Sequence, residues 1–85
     1  MGGDLFDLAS AETAMMHLAF DELEHATTGT ARLEALNTAI EHCFAVLELF
    51  AQLRVECPEQ AEPLIQEWRG MVLRLRDMQT REVAR

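Results

Sequence analysis

The chain has 85 residues and a net charge of −8, with fifteen acidic side chains against seven basic ones. That length allows one domain with a thin core, burying about 60 to 65% of the surface its unfolded form exposes, and that charge excludes a surface built to neutralise phosphates. Apolar residues still make up 49% of the chain, more than a lone three-helix unit needs, so an outlet in self-association or in a partner surface is expected.

The start, MGGDLF, has no basic n-region and no apolar h-region, so no signal peptide is expected, and Phe6 stands where a myristoylation start needs Ser or Thr. No apolar run is long enough to span a bilayer, and a reduced cytoplasm is the expected location. The first helix is expected over residues 4 to 27, opened by Asp4 as N-cap with Asp7 at N3, where both carboxylates complement the helix dipole. Its apolar positions form a wide stripe, Leu5, Leu8, Ala11, Met15 and Leu18 on one side with Met16, Ala19, Phe20 and Leu23 beside it. The same segment carries Asp4, Asp7, Glu12, Asp21, Glu22 and Glu24 and no Arg. Thr28-Gly29 is expected to end it, with Gly29 in the left-handed position.

The second helix is expected over residues 30 to 56, capped by Thr30. Leu33, Leu36, Ile40, Cys43, Leu47 and Phe50 alternate steps of three and four, the spacing of a coiled-coil seam. A second apolar row, Ala35, Ala39, His42, Val46, Leu49 and Leu53, leaves Glu34, Thr38, Glu41, Glu48 and Gln52 as the wet stripe. A helix apolar on two sides must be covered on two sides. Cys43 and Cys57 would lie roughly 20 Å apart if both belong to this helix, too far for a disulfide.

Cys57-Pro58 and Pro63 break the chain, and Pro63 suits the first position of a third helix over residues 63 to 83. Leu64, Trp68, Met71, Leu75 and Met78 are its expected stripe, flanked by Ile65 and Val72, with Gly70 toward the polar side. Residues 68 to 85 carry five Arg against Asp77 and Glu82, so the two ends of the chain have opposite fields. The basic residues are all Arg, a usage that fits a GC-rich bacterial genome. The expected fold is an all-α, up-down-up three-helix bundle, or a helical hairpin with an additional helix, in one domain that self-associates.

Candidate chemistry is sparse. His17, Asp21, Glu24 and His25 share one helix face and offer nitrogen and oxygen ligands, and Glu22-x-x-His25 matches half of a ferritin-like carboxylate element. That site needs two such elements and two more inward Glu, whereas Glu41, Glu48 and Glu67 fall on wet faces; a di-metal helical protein is the third-ranked reading. His42 and Cys43 are adjacent, hence about 100° apart on the helix and unable to act as base and nucleophile. Gly-rich phosphate loops, Ser elbows and Cys-x-x-Cys pairs are absent from the sequence. No enzyme activity, metal or cofactor is expected. Met15, Met16, Met71 and Met78 fill gaps in a core or offer an adaptable binding surface.

The run Met16-His17-Leu18-Ala19-Phe20-Asp21, then Glu34-Ala35-Leu36, Ala39-Ile40, Ala61, Leu64, Met71 and Arg74-Leu75, is similar in order and spacing to the middle helices of flagellin export chaperones. Cys57-Pro58-Glu59-Gln60 resembles the turn of the helical hairpin co-chaperones of type III secretion. The resemblance spans residues 15 to 78. It implies a bundle whose apolar groove shields an amphipathic helix of an export substrate. The expected partner-binding residues are His42, Val46, Leu49, Leu53, Trp68, Met71 and Leu75, with another protein or a second copy as the occupant and neither nucleic acid nor membrane. The alternative is an acidic inhibitor of phage or plasmid type. It would present Asp21, Glu22, Glu24 and Glu41 to a basic nucleic-acid-binding surface on a host protein.

Overall fold

The computed structural model describes the backbone of residues 2 to 84 and side chains from Leu5 to Ala84; it contains three helices, α1 (Gly2–His25), α2 (Gly29–Glu56) and α3 (Pro58–Ala84). The protein is an all-α three-helix bundle, with no strand among the described residues. α1 begins two residues before Asp4, and the capping role expected of the Asp4 side chain lies outside the described residues.

Helix ends follow local hydrogen bonding. Thr28, not Thr30, caps α2: its backbone is extended (φ −125°, ψ 157°) and its hydroxyl accepts from the Ala31 amide at 3.1 Å. Gly29 is therefore already helical and has no left-handed conformation, because Thr28 supplies the turn that Gly29 was expected to make. The second junction is a single residue. Cys57 donates its amide to the Leu53 carbonyl at 2.8 Å, and its own carbonyl accepts from Gln60 and Ala61, so one residue ends α2 and starts α3. Pro58, with no N–H to lose, takes the first helical position that Pro63 was expected to hold. Pro63 lies one turn further in, where it removes only the bond that the Glu59 carbonyl would have accepted.

Such short connections make neighbours antiparallel. Phe50 meets Trp68 edge-on at 6.3 Å, Arg54 meets Glu62 at 3.4 Å, and Gln79 donates to Asn37, a descending series that fixes α2 against α3. On the other side of α2, His42 bonds Glu12 and the Cys43 thiol lies 3.1 Å from the Met16 sulfur. α1 and α3 each pack on α2 and, among the described residues, make no close backbone approach to each other. The result is an open array of 43 × 20 × 13 Å. Its radius of gyration, 14.1 Å, exceeds the roughly 12 Å of a compact chain this long.

This arrangement answers the demand made by α2. Cys43 meets Met16 of α1 and Phe50 meets Trp68 of α3, and Leu36, Ala39, Ile40, Val46 and Leu53 are buried in the same core, so both apolar sides are covered within one chain. On α1, Ala9, Met16 and Ala19 are buried and Leu5, Phe20 and Leu23 pack against them. Ala19 and Ala39 have side chains small enough for the helices to come together, and both are almost fully buried. On α3 the buried line is Ala61, Ile65, Trp68, Val72 and Leu75. That line is rotated from the expected stripe, leaving Leu64 and Met71 half-buried and Met78 exposed.

Candidate functional site

The expected partner-binding residues do not form a free surface. Val46, Leu53 and Leu75 are at most 1% exposed and Trp68 is 8% exposed, all in the intramolecular core; His42, Leu49 and Met71 are half-buried around it. The correction has a simple cause: α1 and α3 do the covering that was assigned to a partner. His42 is further tied down by its ring, whose Nδ1–H donates to the Glu12 carboxylate and bridges α1 to α2. Cys43 is wholly buried and burial pushes its thiol up to about 11, which removes it further from nucleophilic work.

Apolar surface is left over elsewhere. Phe6, Leu8, Met15 and Leu18 of α1 are large and exposed, Leu8 by 54% and Leu18 by 56%. Leu8, Ala11, Met15 and Leu18 follow steps of three, four and three, so they line one stripe of α1 beside its buried line. This is the half of the broad α1 stripe that the sequence placed in the core, and the structure leaves it bare. The remaining exposed large apolar residues are Phe44, Val55, Leu73, Met78 and Val83, of which Phe44 has Arg76 stacked over its ring at 5.3 Å.

Two depressions lie between α1 and the other helices, besides one lined by α1 alone at His17, Leu18, Phe20, Asp21, Leu23 and Glu24. One, of about 190 Å³, lies between α1 and α2 and is lined by Leu8, Glu12, Ala45, Glu48, Leu49 and Gln52. The other, of about 420 Å³, is an open groove where Phe6, Thr13 and His17 of α1 face Leu64 of α3 across Phe50. The first is acidic at its rim, because Glu41, Ala45, Glu48 and Gln52 form one stripe of α2 beside the bare stripe of α1. Within residues 5 to 53 the only Arg is Arg32, and it points to Glu82 of α3 at 3.7 Å.

Asp21, Glu22, Glu24 and Glu41 are all exposed, the first three near the C-terminal end of α1 and Glu41 on α2. Ligand atoms of Asp21, Glu24 and His25 lie within 4.8 Å of one another, all in water. The Asp21 carbonyl lies 2.8 Å from His25 Nδ1 and can only accept, so that ring proton is on Nδ1 and Nε2 is left as the ligand atom. Neither His17 nor Glu22 joins the three. No acidic side chain is buried among the described residues, so the inward carboxylate set of a di-metal bundle core is not formed within one chain.

No family model matches the chain, and neither a curated protein nor a solved structure does. No helix among the described residues is long and apolar enough to cross a membrane.

Proposed function

We propose that the protein is a non-catalytic binding module, a chaperone or adaptor of the export-chaperone kind, that shields an amphipathic helix of a partner. The observation that carries this reading is the bare stripe of Leu8, Met15 and Leu18 on a helix whose adjoining face already packs in the core. An exposed apolar seam with heptad spacing buries its surface best against another helix. The anchors therefore belong to α1, in place of the buried residues of α2 and α3.

Affinity purification from the native host, comparing the unaltered chain with a Leu8→Asp, Leu18→Asp double variant, tests the reading. A partner recovered with the first and lost with the second, at equal helicity, is the expected result. Equal recovery with both sinks it.

A second reading keeps support from the placement of charge. Asp21, Glu22 and Glu24 project from a helix with no Arg, which suits an inhibitor that occupies a basic nucleic-acid-binding surface. The two differ in salt response: a purely ionic contact collapses between low and moderate salt, and an apolar one persists.

A further inference from the structure

We propose that the helix received by this protein is a basic one, and that it lies along the shallow groove between α1 and α2, with its apolar side on Leu8, Met15, Leu18 and Leu49. This deepens the binding-module reading and rests on it.

The floor and the rim of the groove come from different rows of the two helices. Leu8, Ala45 and Leu49 make the apolar floor at one end, and the bare stripe carries it on through Met15 to Leu18, ten residues or roughly 15 Å along α1. Around that floor stand Glu12 and Glu48, with Glu41 two turns from Glu48 along the same stripe of α2 and Glu22 one step beyond Leu18 on the stripe of α1. Glu12 is already bonded to His42, but no Arg of α1 or α2 answers Glu22, Glu41 or Glu48, since Arg32 is turned to Glu82 and Arg54 to Glu62. A helix docking here with acidic flanks would meet like charge on both sides; one with Arg or Lys flanks meets opposite charge on both. Electrostatics thus chooses the occupant, and apolar burial holds it.

The same count weighs against a second copy. Face-to-face pairing of two α1 stripes would set two Arg-free acidic helices together. The other candidate within a second copy is α3, where four Arg are interspersed with five acidic residues, so that helix is not basic as a whole. A helix from another protein, apolar on one side and basic on its flanks, fits without either conflict.

The test uses the full chain and a fluorophore-labelled synthetic peptide about 20 residues long, with Leu at heptad core positions and Arg on the flanks. Its controls are the same peptide with Glu for Arg, and an Arg/Leu peptide of equal composition with the apolar positions scattered. Fluorescence anisotropy is expected to show binding of the first alone. Affinity should weaken at least about tenfold in Leu18→Asp and severalfold in the Glu41→Gln, Glu48→Gln double variant, which leaves the fold untouched and guards against unfolding as the cause. Equal binding of the Glu peptide would overturn the basic partner while leaving the binding module intact. Equal binding of the scattered peptide, or binding indifferent to Leu18→Asp, would overturn the groove. Failure of all three peptides would overturn both readings, and a dimer of the chain alone that dissociates in Leu18→Asp would assign the surface to a second copy.

Discussion

The sulfur of Met16 and the thiol of Cys43 meet at 3.1 Å in the middle of the α1–α2 interface. Neither side chain has water beside it, and burial raises the Cys43 thiol from its ordinary 9.0 to about 11. A group whose folded pKa is raised stays protonated in the folded chain after the unfolded chain has lost its proton. Stability from this source is fully present below pH 9 and is lost as pH climbs through 11, by about 3 kcal/mol in all. Denaturant midpoints measured from pH 8 to 11 in the unaltered chain and in Cys43→Ala are expected to converge as pH rises. Parallel curves would count against this role of Cys43.

Thiol labelling offers a second check on the same interface. Cys57, half-buried at the α2–α3 junction, should react first, and Cys43 only at the rate of opening. Two equally fast thiols would mean that α1 does not seal the site.

Trp68 stands edge-on to Phe50 at an interplanar angle of 68° and carries the α2–α3 contact. Its removal in Trp68→Ala is expected to cost roughly 3 to 5 kcal/mol, a large share of what a domain this small possesses. Far-UV circular dichroism against temperature should show a much lower midpoint, so any partner lost with this variant is lost through unfolding. Leu18→Asp is the contrast: its side chain is bare, and its stability should stay within about 0.5 kcal/mol of the unaltered chain.

A Cβ built on Gly70 meets nothing within 4 Å. Gly70→Ala therefore gains helix propensity at no steric cost, about 1 kcal/mol, or a rise of about 4 to 8 °C in the melting midpoint for a domain of this size. No rise would mean that this backbone is needed for something other than the helix.

Three helices, their antiparallel order and the two apolar rows of α2 were legible in the sequence, since the periodicity of α2 is unbroken from Leu33 to Leu53. What covers those rows was not. A row of Val and Leu has the same pattern whether a neighbour in the chain or a foreign helix packs on it, and so Val46, Leu53 and Leu75 looked like anchors while being core. On α1 two apolar stripes lie side by side, and pattern alone does not say which of them the core takes. Packing chose the one where Ala9 and Ala19 let the backbones approach and Met16 fills the remaining space beside Cys43. The clue was in the small residues, which a count of hydrophobic bulk passes over. The acidic groove of α1 and α2 depends on that choice, and so it became visible only with the structure.

Among the described residues α1 and α3 make no close backbone approach, so the energy holding α1 in place comes mainly from its interface with α2. α2 and α3, joined through Cys57 alone, form a hairpin with almost no loop to close. The two interfaces differ in their connections, three residues between α1 and α2 against one between α2 and α3, and on that ground α1 is expected to be the helix that opens first. Amide protons of α1 should exchange ahead of those in α2 and α3. A partner helix seated on both α1 and α2 would act as a clamp across that opening, so occupancy would be recorded as slowed exchange along α1.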